Sequence, residues 1–191
     1  MTENPKLHIP QPTARPGETP DFSYIELSEA GAVPRPPEDA AVADIEYLAN
    51  DMVRVLDESH NAVGPWAPGL EADVLLKALE TMVLSRALDD RMQRVQRQGK
   101  ISFYMQALGE EAVSVGQGLA FEDGDMMFPA YRNQGLYILR GTGLVDMMCQ
   151  CLSNSRDMCK GRQMPIFYQN KKNNVFSISG NLATQYPQAV G

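Results

Sequence analysis

Eight of the thirteen prolines in this 191-residue chain fall within its first 40 residues. Proline fixes its own φ, lacks a backbone N–H and pushes the residue before it out of helical space. A stretch so punctuated builds neither a helix nor a central strand, and few apolar runs separate its prolines. Residues 1–40 therefore read as an extended arm without a core of its own. Within it, "DFSYIEL" (Asp21–Leu27) is a candidate short strand or anchor.

Packed structure must come from residues 41–191. "VADIEYLANDMVRVLD" predicts a short helix within 41–58, and "VGPWAPG" (Val63–Gly69) a turn-rich break. The clearest periodic segment is "LEADVLLKALETMVLSRALDDRMQRVQRQGK". Leu75, Leu79, Val83 and Ala87 recur at four-residue steps, beside a second stripe of Leu84, Leu88, Met92 and Val95. Glu71 and Asp73 suit the start of a helix, Arg94, Arg97 and Lys100 its end, and Gly99 marks the stop.

Next, "ISFYMQALGEEAVSVGQGLAF" predicts a buried or cleft-lining piece at Ile101–Met105. A helix opened by Glu110 and Glu111 follows, with Ala112, Val115, Gly116 and Leu119 for close packing. "MMFPAYRNQGLYILRG" reads as a strand or loop entering another helix, and "LVDMMCQCLS" (Leu144–Ser153) as a further amphipathic helix. From Asn154 to Asn174 the pattern dissolves into a polar loop with the apolar centre "MPIFY", a length usually kept for function. "SISGNLATQYPQAVG" makes a turn and then starts a helix, with Pro187 tolerable in its first turn. Helices joined by short apolar connectors suggest an α/β layered domain, mostly helical here, whose sheet reads as unfinished.

Composition narrows the function classes. A net charge of −7 argues against a general nucleic-acid binder. No apolar run approaches bilayer length, and the N-terminus has neither a signal core nor an Arg-rich presequence, so a cytoplasmic protein away from membranes is the simplest reading. The three cysteines, Cys149, Cys151 and Cys159, have no framework spacing, and both histidines, His8 and His60, lie far from them. Free thiols in a reducing compartment are expected rather than disulfides or zinc.

Several motifs fail on their context. "RGTGLVD" lacks the third glycine and the preceding strand of a dinucleotide fingerprint, so it reads as a helix–helix turn. "SISG" has no G-x-S-x-G pattern and no histidine in the second half of the chain to act as base. Glu110 and Glu111 are adjacent on a helix and point apart, which favours helix-start electrostatics over paired acids. Tyr131–Arg132, at a loop-to-helix junction, and the cations of "KGRQMP" (Lys160–Pro165) remain as anion-binding candidates beside the alternative of a plain surface arginine and a solvated basic loop.

Taken together, "ISFYMQALGEEA", "FPAYRNQG", "CKGRQMP" and "ISGNLATQYPQAVG" resemble, in order and spacing, the α subunits of branched-chain 2-oxoacid dehydrogenases. These are the thiamine diphosphate-dependent decarboxylating components of large multienzyme complexes. The similarity covers nearly all the chain, and the proline-rich arm looks like the bacterial form. "SFYM" with "GRQMP" is closer to the branched-chain branch than to the pyruvate branch, where a "GKGGSMH"-like stretch is usual.

The resemblance implies an arm at 1–40 and, at 41–191, the N-terminal part of an incomplete thiamine diphosphate-binding layered fold. It implies that Arg132, beside Tyr131, pairs with the diphosphate, and that Gly180 and Leu182 meet the aminopyrimidine ring, Leu182 as the wedge that bends the cofactor. Phe103, with Tyr131, would line a pocket for a branched aliphatic side chain. Ser179, Thr184 and Gln185 match positions that hold a structural potassium ion, although Gly180 and Asn181 stand where some members have Ser and Pro. The activating glutamate is expected from a β subunit, so no catalytic base is assigned here. The family's magnesium motif and loop histidine are expected beyond Gly191, so magnesium ligands are expected to be absent. The implied activity is oxidative decarboxylation of branched-chain 2-oxoacids with acylation of a lipoyl group on a partner acyltransferase, the 191 residues alone being inactive. The alternative is a truncated, non-catalytic module that docks on the β subunit through the arm and the long helix.

Overall fold

The computed structural model describes residues 14–21, 26–49 and 51–191. Most of the "DFSYIEL" candidate, at 22–25, and His8 lie outside the described residues. The chain divides into two units, Met1–Gly69 and Leu70–Gly191. The boundary thus falls after "VGPWAPG", and the first unit takes in both the proline-rich stretch and the segment that follows it.

In the first unit the short helix expected within 41–58 is a 3-10 helix over Val42–Ala49. Among the described residues of this unit, Val33 alone has a buried side chain. Backbone turns and hydrogen bonds do the remaining work. Leu56 and Ala62 pair antiparallel around a turn in which the Asp57 carboxylate accepts the N–H groups of Ser59 and Asn61. The Gly31 N–H donates to the Arg54 carbonyl at 2.8 Å. Gly31 also lies so close to Gly64 that a Cβ on Gly64 would sit 2.3 Å from the Gly31 Cα. Only a residue without a side chain fits there, and the φ of +78° at Gly64 suits glycine for the same reason.

The second unit is built on α1 (Ala72–Arg97), α2 (Glu111–Ala120), α3 (Gln134–Leu139), α4 (Leu144–Cys151) and α5 (Gln185–Val190). The long helix is present, and it ends as its sequence predicts. Gly99 takes φ +70°, its N–H donates to the Gln96 carbonyl, and the Lys100 N–H reaches back to Val95.

The buried face of α1 takes in much of the second stripe, Leu88 and Met92 with Val95 packed beside them, but not the first. Ala78, Thr81, Ser85, Leu88, Asp89 and Met92 are buried, whereas Leu75, Leu79, Val83, Leu84 and Ala87 are exposed. Small and singly hydroxylated residues let α2 and α3 approach closely. The Thr81 hydroxyl donates to the Lys77 carbonyl within its own helix, so its burial strands no polar group. A similar exchange occurs on α2. Gly116 has open space around it, while a Cβ on Gly118 would meet the Leu139 and Leu136 side chains at 2.6 and 3.0 Å. Gly118 is therefore the close-approach residue.

The described residues are mostly helical with little extended pairing. Met127 pairs parallel with Val175, and Val175 antiparallel with Asn170. The Met127 N–H donates to Asn174 and the Phe176 N–H to Met127. The core gathers Leu88, Met92, Ile101, Tyr104, Met127, Leu136, Tyr137, Met147, Cys151, Ile166, Tyr168, Val175 and Ile178. The loop expected over Asn154–Asn174 is thus anchored from within by Ile166 and Tyr168. All three cysteines are free and buried. Burial pushes the Cys159 thiol up to about 11. Among the described residues, no helix is long and apolar enough to cross a membrane.

Candidate functional site

The segment after α1 is pinned by one carboxylate. Asp89 is fully buried; its Oδ1 accepts the Tyr104 hydroxyl and its Oδ2 the Ala107 N–H, both at 2.7 Å. Burial raises the Asp89 carboxyl above its ordinary range, against the lowering effect of these two donors. Tyr104 is buried with its hydroxyl directed to Asp89, and its neighbours Phe103 and Met105 are half-buried against the core. The Met105 carbonyl accepts the Gln134 side-chain N–H at 3.0 Å. α1 thereby fixes the backbone on which Phe103 and Met105 are carried.

Met105 leads to the tyrosine–arginine pair just before α3. Arg132 donates from Nε to the Met105 sulfur at 3.0 Å and from Nη1 to Glu110 Oε1 at 3.1 Å. Its guanidinium carbon lies 5.9 Å from the centre of the Tyr131 ring. Asn133 holds this junction by accepting the Ala130 N–H and donating to the Ser114 hydroxyl. Glu110 was expected only at the helix start; the structure pairs it with Arg132. Both side chains are about half exposed, 41% for Arg132 and 47% for Glu110. A pair that wet contributes little to stability and yields readily to a stronger anion.

Tyr131 in turn stacks on Phe167, with ring centres 6.0 Å apart and planes 18° apart. Phe167 lies against Gly180: a Cβ there would approach the ring at 3.1 and 3.2 Å. The structure therefore joins Arg132, Tyr131 and Gly180 in one run of contacts, with Phe167 as the connecting side chain. Leu182, two residues on, is 75% exposed. The Ser179 hydroxyl accepts the Asn181 N–H at 3.3 Å, and the Thr184 hydroxyl donates to the Asn181 carbonyl at 2.8 Å. Gln185 opens α5 and is half-buried. Lys160 and Arg162 of "KGRQMP" are exposed, and the N–H groups of Cys159 and Gly161 turn inward to the buried Asp157 carboxylate. Among the described residues, no three His, Cys, Asp or Glu side chains gather as a metal site.

A family profile described as dehydrogenase E1 component matches residues 79–191, which include every one of these positions. The chain belongs to the dehydrogenase E1 component family. A second profile, that of the 2-oxoisovalerate dehydrogenase E1 alpha subunit N terminal, matches residues 3–43. The proline-rich start is thus itself a feature of that group.

Among curated relatives, this E1 family chain is 55% identical over 186 residues to the 2-oxoisovalerate dehydrogenase subunit alpha of Pseudomonas aeruginosa, covering 97% of the chain and 45% of the relative. It is 42% identical to the mitochondrial alpha subunit of Dictyostelium discoideum, over 65% of the chain and 28% of the relative. The bovine mitochondrial alpha subunit is 41% identical over 72% of the chain and 30% of its own length. The chain spans less than half the length of these relatives.

Phe167 and Asp89 build this run of contacts and are singled out by no sequence pattern. "MPIFY" contains Phe167, but nothing in a linear pattern shows that Ile166 and Tyr168 are buried, Met164 exposed and Phe167 half-buried between them.

Proposed function

We propose that this chain acts within the α subunit of a thiamine diphosphate-dependent 2-oxoacid dehydrogenase, a lipoamide-dependent oxidoreductase selective for branched-chain 2-oxoacids such as 3-methyl-2-oxobutanoate. In this reading it works with a β subunit, which supplies the glutamate that activates the cofactor, and with a lipoyl-bearing acyltransferase that accepts the acyl group. The observation that carries the reading is the contact run from Arg132 through Tyr131 and Phe167 to Gly180.

These residues fit the cofactor. Thiamine diphosphate, when bound, supplies a nucleophilic carbon and an electron sink for decarboxylation. Arg132 holds the diphosphate: one of its N–H donors rests on a half-exposed carboxylate and another on a sulfur, a weak acceptor, so both are open to exchange for phosphate oxygens. Gly180 offers backbone unshielded by a side chain, and the exposed Leu182 offers the apolar wedge for the pyrimidine. Phe103 and Tyr131 give shape to the pocket for the branched side chain. Magnesium on the diphosphate and potassium at Ser179, Thr184 and Gln185 belong to the same proposal. The two hydroxyls of that set lie on one turn, which supports the potassium reading. The layered thiamine diphosphate-binding fold is part of it too, supported by the parallel Met127–Val175 pairing.

The exposed apolar residues Leu75, Leu76, Leu79 and Val83 on α1 favour a contact surface for the β subunit as a second element of this function.

The test is affinity for thiamine diphosphate, measured calorimetrically with magnesium in the enzyme assembled with its β subunit. Arg132→Lys loses the forked contact and weakens binding by about tenfold or more. Unchanged affinity would remove Arg132 from the site, and faster turnover of pyruvate than of 3-methyl-2-oxobutanoate would overturn the substrate assignment.

A further inference from the structure

Phe167 connects the proposed contacts without being assigned a contact to cofactor or substrate, and the backbone around it is held from both sides. The residue before it, Ile166, is fully buried with φ +68°, a left-handed conformation that a β-branched residue rarely adopts. Gln150, buried on α4, over-determines that turn. Its Oε1 accepts the Ile166 N–H at 3.0 Å, while its Nε2 donates to the Met164 carbonyl at 2.7 Å and lies 3.5 Å from that of Phe167. On the other side, Tyr168 is buried, with its hydroxyl 3.3 Å from the Cys151 sulfur and its ring edge-on to Tyr137 at 5.1 Å. Backbone strain maintained by several independent contacts is characteristic of segments that must present one side chain in one direction.

That side chain is the Phe167 ring, half-buried between Tyr131 and Gly180. Tyr131 stacks on it, and a Cβ at position 180 would lie 3.1 and 3.2 Å from it, so that any side chain there makes the ring give by a few tenths of an ångström. Gln150 fixes the backbone on which the ring is carried, and Tyr131 covers one of its faces. We propose that Phe167 is a positioning residue: its ring is the spacer that sets the separation between the Tyr131–Arg132 pair and the Gly180–Leu182 turn, and Gly180 is the point at which that turn meets it. The inference rests on the cofactor reading above, because the two parts it spaces are the proposed diphosphate and aminopyrimidine contacts.

A double-mutant cycle in the enzyme assembled with its β subunit tests it. Thiamine diphosphate affinity is measured for the wild type, Gly180→Ala, Phe167→Leu and the double variant. Gly180→Ala weakens binding about tenfold in the wild-type background and less than about threefold once Phe167→Leu has made room. An equal loss in both backgrounds, or no loss in either, overturns the spacer role. Should Gly180→Ala fail to assemble, Phe167→Ala weakens affinity about tenfold, and Phe167→Tyr, whose hydroxyl extends from the ring carbon that faces Gly180, weakens it as well. Wild-type affinity in Phe167→Ala overturns the proposal. A purely structural role would lower the melting temperature of these variants without the reversal in affinity. A wild-type enzyme that binds no thiamine diphosphate overturns the cofactor reading and the positioning role with it. Additive losses in an enzyme that does bind overturn the spacer alone.

Discussion

At the residue scale, Asp89 joins the longest helix to the segment that carries Phe103 and Met105. Burial raises its carboxyl, with Glu111 and Asp90 adding smaller repulsions. A carboxyl whose folded value lies above its unfolded value of about 3.9 is protonated in both states below that pH. As pH rises past it, the unfolded chain sheds the proton while the folded chain retains it, so stability falls until the folded value is passed. Glu111 has the opposite sign. Its carboxyl is held down chiefly by Arg86, at 2.5 Å, and its contribution is lost as pH falls. Asp89→Asn removes the first slope and keeps the second. The expected result is a variant that gains stability relative to wild type as pH rises above about 4, read from urea midpoints across pH. A pH-independent difference would show that Asp89 does not titrate between the two states. Asp89→Ala leaves the Tyr104 hydroxyl and the Ala107 N–H without their partner and costs about 2–4 kcal/mol.

At the scale of the element, α1 carries two apolar stripes, one buried and one exposed. Leu88 is 2% exposed and packs in the core, whereas Leu79 is 53% exposed. Leu88→Ala leaves a cavity and destabilises by about 2–5 kcal/mol, while Leu79→Ala stays within about 0.5 kcal/mol. Leu79→Glu is expected to leave folding intact and to weaken association with the β subunit, seen as a loss of co-purification. Undiminished association would remove this stripe from the partner surface. A periodicity plot weighs both stripes alike, because it registers apolar spacing and not what lies opposite. The buried side was decided by Ala78, Thr81 and Ser85, whose small size lets α2 and α3 come close.

At the scale of the whole molecule, the two units are stabilised by different means. The second has an apolar core; the described part of the first has a single buried side chain and relies on backbone geometry. Its weakest tolerance is at Gly64. Gly64→Ala meets the Gly31 backbone and requires a left-handed alanine, at a cost of at least about 2 kcal/mol to this unit. Faster amide exchange at Gly31 and Val63, whose N–H groups bond to Arg54 and Val55, is the expected readout. Protection equal to the wild type would mean that the two glycines do not touch in solution.

The sequence by itself determined the long helix and its glycine stop, the helices that follow and the family. Each of these is written in local spacing, in capping residues or in a run of motifs that neighbours alone specify. It also marked Arg132, Tyr131 and Gly180 as site residues through their resemblance to a family. What it could not hold is how those three meet. The connection runs through Phe167, and the direction of that ring follows from a left-handed Ile166 in a loop held by a glutamine 16 residues earlier on α4. Contacts of that kind depend on closing loops and burying polar atoms in pairs, and only the tertiary structure decides which pairs form.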